Sequence, residues 1–416
     1  MTITKTQWQV FLCTFELFAL VSGSKFLPSL VMFLLIGSII VDFEWSPTWR
    51  LGLSKSLAEG WRNFWKYPPF WAMWGLWIVG ALSYFWSEDT QEWANFFRIK
   101  LPFLALPLVF ASMPAFSRRT LYTIFTIGFW VICGSTAYVW VKYLQDFEAI
   151  NAQLFQGKCL PTPINYIRYG LTLAMALLIA IQIIKDKFTI KYAWEWQMNI
   201  ILGIYLLGFL HVLAVRSGIF TFYGAAAVWC VVEILKVKKY YLLAWLVVAG
   251  ISLPAMAYLL LPSVQQKVAY SLYDWKMHKE GKGNDYSDSD RIRSLDIGWT
   301  IIKENPILGV GAGDLEKVKD EKFAERYPAG TIAKLPHNQF VFTWASLGLV
   351  GLLGLMLGLL VPLFYQKNYK NTLFLAFNVA TFLSFMVEYT LETSIGVAFF
   401  ILFELYILNY LKGEKP

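Results

Sequence analysis

The stretch Pro336-His337-Asn338-Gln339-Phe340 opens a hydrophobic segment that runs to about Phe364. It directly follows the longest polar loop of the chain, at residues 262–336, whereas the rest of the sequence is mostly apolar. An imidazole can gain or lose a proton near neutral pH, so its position matters for chemistry. Here it stands where a polar loop enters an apolar segment, which is the arrangement expected of an active site at a membrane surface.

The composition around this stretch is that of a membrane protein. Of the 416 residues, 57% are hydrophobic and only 15% are charged, against about a quarter charged in an ordinary soluble domain. The charges fall between apolar runs of roughly twenty residues, the length that crosses a hydrocarbon core. Because backbone groups in lipid must be hydrogen-bonded internally, these runs predict helices. The expected fold class is therefore all-α and polytopic.

The hydrophobic runs predict about twelve spans. They lie near residues 8–22, 27–42, 68–86, 99–114, 119–144, 163–184, 199–214, 217–235, 241–261, 338–364, 371–388 and 391–411. The chain thus divides into N-terminal membrane helices (residues 1–261), a loop domain (262–336) and C-terminal membrane helices (337–416). Within the loop we predict one helix over residues 291–303, with residues 288–290 as its N-cap, and a second over residues 314–326.

The distribution of charge predicts the orientation. Lys and Arg concentrate in alternate short loops, and such loops face the cytoplasm. This places both termini in the cytoplasm and the long loop on the outer face. The net charge of +8 follows from this topology and gives no reason to expect a nucleic acid partner. The four cysteines and three histidines show no metal-ligand spacing, so we expect neither a metal nor a cofactor.

His337 is the first candidate catalytic residue. A neutral imidazole at a water–lipid boundary can take a proton from a hydroxyl, as a general base does. Asn338 beside it can orient a substrate with a neutral hydrogen bond. The alternative is a histidine that caps a helix or only lies at the interface.

Arginines on the outer face form the second candidate group. Arg216 lies between two predicted spans with almost no loop, and Arg168 lies at the outer start of another. Arg291 and Arg293 belong to the predicted loop helix. Guanidinium groups bind phosphate oxygens bidentately, so their convergence indicates a phosphate or pyrophosphate site. The alternative for Arg216 is a side chain that reaches to lipid headgroups.

Two further features are ambiguous. Glu388 and Glu392 flank the short outer hairpin between the last two predicted spans. They could offset arginine charge, assist proton transfer or only lie at the interface. Residues 305–313 (NPILGVGAG) resemble a nucleotide-binding loop, but no βαβ unit surrounds them and no Lys-Ser or Lys-Thr follows. We therefore interpret the glycines as a tight turn.

Taken together, these motifs resemble the O-antigen ligase/polymerase family of bacterial membrane glycosyltransferases. The resemblance rests on the tight turn at residues 215–218 (VRSG), on residues 291–299 leading into 305–311 (NPILGVG), and on residues 336–338 (PHN) opening a span that continues through 348–351 (GLVG). The predicted spans and the large loop before the histidine agree with it, so the resemblance covers nearly the whole chain.

The resemblance implies an enzyme that moves a glycan from undecaprenyl pyrophosphate to the sugar core of lipid A. The reaction would take place at the periplasmic face of the bacterial inner membrane and would need no metal. Arg216 and Arg291, with Arg168 in addition, would bind the pyrophosphate. His337 would be the base that activates the acceptor hydroxyl.

Three alternatives stay open. A polysaccharide polymerase passes the glycan to another lipid-linked glycan, and a protein O-oligosaccharyltransferase passes it to a protein hydroxyl. The loop at residues 145–162 contains Lys158 and no arginine, which favours a ligase over a polymerase. A transporter of lipid-linked solutes would carry charges near the midplane of symmetric halves. We find only Glu16 and Glu404 within the predicted spans, so this alternative is the least favoured.

Overall fold

The computed structural model describes residues 4–24, 26–44, 50–53, 56–155, 158–280, 287–328 and 331–414. Its described residues form eighteen α-helices, in chain order α1 Lys5–Val21, α2 Leu27–Ile40, α3 Ser56–Lys66, α4 Pro68–Ala72, α5 Trp74–Leu82, α6 Thr90–Ser112, α7 Arg118–Gln145, α8 Phe147–Phe155, α9 Tyr166–Lys185, α10 Glu195–Leu213, α11 Arg216–Val237, α12 Leu242–Leu260, α13 Pro262–Lys279, α14 Ser287–Glu304, α15 Leu315–Arg326, α16 Gln339–Phe364, α17 Thr372–Val387 and α18 Ser394–Leu411. Short 3₁₀ turns cover Ser83–Phe85, Tyr365–Lys370 and Thr390–Glu392.

The all-α prediction is confirmed apart from one short ribbon. Strand β1 (Val41–Glu44) pairs antiparallel with β2 (Arg50–Leu53); the predicted span at 27–42 was therefore two residues too long, since α2 ends at Ile40 and the strand begins at Val41. An isolated pair of strands has only marginal stability, so the fold is stabilised by the packing of the helices.

Multi-pass membrane character is confirmed as well. Among the described residues, eight helices are long and apolar enough to cross a membrane. They are α6, α7, α9, α10, α11, α12, α16 with its extension to Lys370, and α18. Helices α2 and α17 are apolar but shorter, and the predicted span at 68–86 is divided into α4 and α5. Twelve spans, and the three-part division of the chain, stay predictions.

Burial separates central helices from peripheral ones. Nearly every residue of α18 and most of α9 are buried, because neighbouring helices surround them. Helix α12 buries only Ala257 among its described residues, so its apolar side chains lie on the surface of the bundle, as expected of a helix at the bundle edge. The helices that begin near His337, namely α9, α11, α16 and α18, define what we call the His337 end of the bundle; the other is the opposite end.

The long polar loop is helical. The two predicted helices are present as α14 and α15, and α13 was not predicted. Helix α14 begins at Ser287, so Asp288 and Asp290 lie in its first turn, where negative charge stabilises a helix, and do not precede it as caps. Asp314 accepts hydrogen bonds from the backbone N–H groups of Glu88 and Asp89 at 2.8–3.1 Å, which fixes the start of α15 to the start of α6.

The predicted glycine turn is confirmed, and it packs against a break in α16. Gly348 interrupts α16 with φ +67°, and Gly309 in the turn has φ +68°. The freed backbone groups bond across the contact: the N–H of Val310 donates to Ala345 O (3.1 Å) and the N–H of Gly311 to Ser346 O (2.9 Å). Two more such bonds run from Leu349 and Val350 back to residues 306 and 307. The turn and α16 thus act as one unit.

This contact predicts a strong effect of a single methyl group. A Cβ on Gly348 would lie 2.0 Å from Ile307 O, and its positive φ disfavours any L side chain. We expect Gly348→Ala to destabilise the protein by at least about 1–3 kcal/mol, the usual strain of such a backbone. Gly358→Ala in the same helix is the matched control, since its Cβ would meet no atom nearer than 3.7 Å. Thermal unfolding in detergent measures both, and equal melting temperatures would contradict the proposed close contact.

Candidate active site

Glu388 is the centre of the site at the His337 end. It follows α17 directly and is only 2% exposed. Its Oε1 accepts a hydrogen bond from Arg291 Nη2 at 2.7 Å, and its Oε2 lies 3.4 Å from His337 Nδ1 and 4.0 Å from Arg168 Nη1. One carboxylate therefore joins α9, α14 and the segment before α16. The structure brings together Arg168, Arg291 and His337, three of the residues singled out from the sequence.

The charge of Glu388 follows from these contacts. Burial by itself raises the pKa of a carboxyl group, because it penalises the charged form. Around Glu388 the His337 ring and the guanidinium groups of Arg291 and Arg168 outweigh burial and hold the pKa of its carboxyl below the ordinary value. Glu388 is thus a carboxylate at neutral pH, able to orient an imidazole and balance its positive charge.

His337 is fixed but still accessible. Its backbone N–H donates to Ser294 Oγ at 3.3 Å, and that hydroxyl donates to Arg291 O at 2.8 Å. Its ring centre lies 5.2 Å from that of Tyr389. The side chain is 18% exposed. Because the Glu388 carboxylate can only accept, it favours the tautomer with the proton on Nδ1, which leaves Nε2 free to take a proton.

Asn338 caps α16. Its Oδ1 accepts from the N–H groups of Phe340 (2.9 Å) and Val341 (3.0 Å), and its Nδ2 donates to Met386 O (2.9 Å). The amide is thus engaged at both ends, and its contacts hold His337 at the start of the helix. A role in orienting a substrate stays a prediction.

Arg168 is buried beside Glu388, with 5% of its surface exposed. Its Nε donates to Thr393 Oγ1 and its Nη2 to Tyr389 O, both at 3.2 Å. Its Nη1 is buried and has no hydrogen-bond partner among the described residues, although it faces Glu388 Oε2. A buried donor with spare capacity in this position can bind a further oxyanion.

Arg216 belongs to the same region but has a different partner. Its Nη1 and Nη2 donate to the two carboxylate oxygens of Asp288 at 2.6 and 2.7 Å, and Nη1 also donates to Ser271 Oγ at 2.9 Å. Arg216, Lys267 and Arg291 line one small cavity of about 70 Å³. The predicted convergence of arginines therefore takes the form of two neighbouring groups, one at Glu388 and one at Asp288, with Arg291 in both.

Arg293 and Glu392 have contacts beside this centre. Arg293 is buried, and its guanidinium lies 5.9 Å from the ring centre of Tyr327. Glu392 accepts from Lys100 Nζ at 2.7 Å and from Gln339 Nε2 at 2.8 Å. These contacts join the loop helices, α6 and α16, which favours supporting roles for both residues.

Lys100 is the residue that sequence analysis missed. It is 1% exposed and also donates to Leu391 O at 2.9 Å. The expectation that Glu16 and Glu404 are the only charges within the spans was therefore wrong, since Lys100 lies inside α6. An apolar run that contains a lysine was itself a signal, because charges within spans are costly and have partners. Asp288, Ser294 and Tyr389 gave no such signal.

The arrangement can perform two chemical tasks side by side. A half-buried imidazole oriented by a carboxylate can accept a proton from a hydroxyl. Guanidinium groups within the same region can stabilise negative charge on phosphate oxygens. Among the residues that the structure describes, no group of three or more His, Cys, Asp or Glu side chains is placed to hold a metal ion.

Comparison with known proteins finds a family that part of this chain resembles. The family model described as O-antigen ligase matches residues 201–356, the part of the chain that contains Arg216, Arg291 and His337. An uncharacterized protein of Haemophilus influenzae is 34% identical over 73 residues, a match that spans 17% of this chain and 18% of that protein. The resemblance of this chain to an O-antigen ligase-like family, inferred from its motifs, is confirmed by the match over residues 201–356.

Proposed function

We propose that this protein is a metal-independent glycosyltransferase of the bacterial inner membrane. It moves a glycan from undecaprenyl pyrophosphate to the lipid A core, at the periplasmic face, with both termini in the cytoplasm and residues 262–336 as a periplasmic domain. The observation that carries the proposal is the contact of His337 and Arg291 with one carboxylate, Glu388. It combines a base and a phosphate-binding group within a single site, as glycosyl transfer from a pyrophosphate requires.

His337 is the base in the proposed reaction. Its Nε2 takes the proton of the acceptor hydroxyl while the hydroxyl oxygen forms a bond to the anomeric carbon of the donor. The bond from that carbon to the pyrophosphate oxygen breaks, and its electron pair leaves with the pyrophosphate. Glu388, at 3.4 Å from Nδ1, balances the imidazolium that results. The carboxylate keeps its charge throughout because its own pKa is held low.

The arginines stabilise the leaving pyrophosphate. Arg291 and Arg216 line one cavity, and Arg168 offers a buried N–H group at Glu388. Fixed guanidinium groups can replace a metal ion as the counter-charge for a leaving phosphate. Arg216 is bidentate to Asp288 in this structure, so donor binding at Arg216 exchanges a carboxylate for phosphate oxygens. We infer that this exchange opens the small cavity to the donor.

A reconstituted assay tests the proposal. The purified protein is mixed with an undecaprenyl-pyrophosphate-linked glycan, with or without lipid A–core, and with or without EDTA. A lipid A–core product of higher mass that forms equally with the chelator supports a metal-independent ligase. Lengthening of the donor alone would identify a polymerase, transfer only to an added protein acceptor an oligosaccharyltransferase, and no transfer at all would return attention to a transporter.

Replacement of the base gives the sharpest prediction. We expect His337→Ala to lower kcat by about 10²–10⁴-fold, the usual contribution of general base catalysis, with donor binding retained. The matched control is His211→Gln, because His211 bonds only to Leu207 O and the Tyr223 hydroxyl in the described structure and takes no part in the proposed step. Normal turnover by the alanine variant would remove His337 from the mechanism.

Glu388→Gln separates orientation from charge. The amide keeps the shape of the side chain, but the imidazolium formed in the reaction loses its counter-charge. We expect a lower kcat and an acid limb of the pH–rate profile that moves to lower pH, measured between about pH 5 and 8. Glu392→Gln removes a carboxylate that pairs with Lys100 instead, so the position of the limb should not change. An acid limb at the same pH in the unmodified protein, Glu388→Gln and Glu392→Gln would contradict the pairing of Glu388 with the base.

Arg216→Lys tests bidentate phosphate binding. An ammonium group retains the charge but cannot form two parallel hydrogen bonds. We expect kcat/KM for the donor to fall by at least about tenfold, which equals about 1.4 kcal/mol. Arg326→Lys serves as control, because Arg326 pairs with Asp296 on an exposed face of the loop helices. Equal kcat/KM values for Arg216→Lys and Arg326→Lys would show that Arg216 acts only through its charge.

A further inference from the structure

A second polar site lies at the opposite end of the bundle. A cavity of about 540 Å³ opens between α7, α9, α11, α17, α18 and the turn at residues 365–371. Its walls carry five basic side chains and three acidic ones: Arg118, Lys185, Lys236, Lys367, Lys370, Asp186, Glu233 and Glu414. We propose that this cavity binds the phosphate-bearing headgroup of an anionic phospholipid.

The cavity is separate from the candidate active site. Helix α9 carries Arg168 at one end and Lys185 at the other, seventeen residues apart, which is about 26 Å at 1.5 Å per residue. Helix α17 begins with Thr372 at the cavity and is followed by Glu388 at the active site. This separation is close to the thickness of the hydrocarbon core. The cavity therefore lies at the other surface of the membrane, where lipid headgroups are found.

The internal charge pairs leave a positive excess. Asp186 pairs with Arg118 at 2.8 Å, and Glu233 pairs with both Lys185 and Lys236. Lys367 and Lys370 lie on the exposed rim and make no ion pair with any residue that the structure describes. With Glu414 also in the wall, five basic and three acidic side chains leave a net charge of +2, which attracts an anion.

The floor of the cavity is preorganised. The Tyr122 hydroxyl and Gln182 Nε2 donate to Asp186 Oδ2 at 2.6 and 2.8 Å, and Trp229 Nε1 donates to Gln182 Oε1 at 2.9 Å. Burial raises the pKa of the Asp186 carboxyl, but these donors and Arg118 outweigh it and lower the pKa, so the group stays charged. The floor thus holds α7, α9 and α11 in register without using the lysines at the rim.

The rim itself is strained. Gln366 and Lys367, which follow each other, both adopt left-handed backbone conformations, with φ of 46° and 62°. Residues other than glycine rarely adopt this backbone conformation, because it brings Cβ close to the following carbonyl oxygen. The side chain of Asn368 donates to Pro362 O at 2.8 Å and holds the turn in place. The consequence of this conformation is that Lys367 and Lys370 both reach the cavity.

A phospholipid headgroup suits these features better than a free anion. Lysines bind phosphate oxygens as mobile point charges, and basic pockets between membrane helices bind anionic headgroups. The cavity opens between helices at the proposed membrane surface, so a headgroup can enter it while its acyl chains stay in the bilayer. The inner wall is closed by the buried side chains of Leu121, Leu373, Ile407 and Leu411. Occupancy joins α9, α11, α17 and α18, so the bound lipid stabilises the helices that carry Arg168, Arg216 and Glu388.

The test compares lipids and variants on the intact protein in neutral detergent. Cardiolipin, phosphatidylglycerol, phosphatidylcholine and inorganic pyrophosphate are added in turn, and the melting temperature and the lipid retained in native mass spectrometry are recorded. We expect the two anionic lipids to raise the melting temperature and phosphatidylcholine to leave it unchanged. In the double variant Lys367→Gln/Lys370→Gln, affinity for cardiolipin should fall by at least about tenfold.

The matched control is Lys238→Gln/Lys239→Gln, which removes the same charge from exposed residues near the same end, outside the cavity. Retained cardiolipin affinity in this control supports binding of the headgroup in the cavity. An equal loss in both double variants would mean unspecific attraction to surface charge and would overturn the proposal. An increase in melting temperature with pyrophosphate as large as with cardiolipin, and lost in Lys367→Gln/Lys370→Gln, would overturn the proposal of a lipid headgroup; pyrophosphate bound at Arg216 and Arg291 would keep its effect in that variant.

Discussion

The buried charge of Glu388 is the constraint on which the His337 end depends. An unpaired carboxylate in so enclosed a place would cost several kcal/mol, so its partners must stay in position. Those partners come from α9, α14 and the segment before α16, which are far apart in the sequence. The packing of these elements therefore also fixes the position of the proposed base. Any change that separates them leaves the buried Glu388 carboxylate without a partner.

Many of the helices and three of the site residues could be predicted from the sequence, because a membrane helix is recognised from the apolar residues of its own segment. Apolar runs indicated α7, α9 and α16, and helical periodicity indicated α14. A second loop helix was predicted where α15 lies, and the glycines at 309 and 311 indicated a turn. The choice of His337, Arg291 and Arg168 rested on residue type and on their predicted placement on one side of the membrane, and the structure brings all three to Glu388.

What escaped prediction depends on pairing across long distances in the chain. Nothing near Arg216 shows that it will pair with Asp288. Lys100 lies within the predicted span at 99–114, but its partner Glu392 is nearly three hundred residues away in the sequence. The break at Gly348 was hidden for a related reason. An apolar sequence reads as one continuous helix, and only the returning turn, whose backbone bonds to the break, explains why the helix can be interrupted there.

The contact between the glycine turn and α16 has a consequence for access. Residues 306–311 share four backbone hydrogen bonds with α16, and the Asp314 carboxylate holds the start of α6. Each bond broken in apolar surroundings would leave polar groups unsatisfied, at about 1–3 kcal/mol per group. The region of α14 and α15 therefore cannot swing aside as a hinged lid on this side. It forms a fixed wall beside α16, so under the proposed function a lipid-linked donor would reach His337 from another side, between helices in the plane of the membrane.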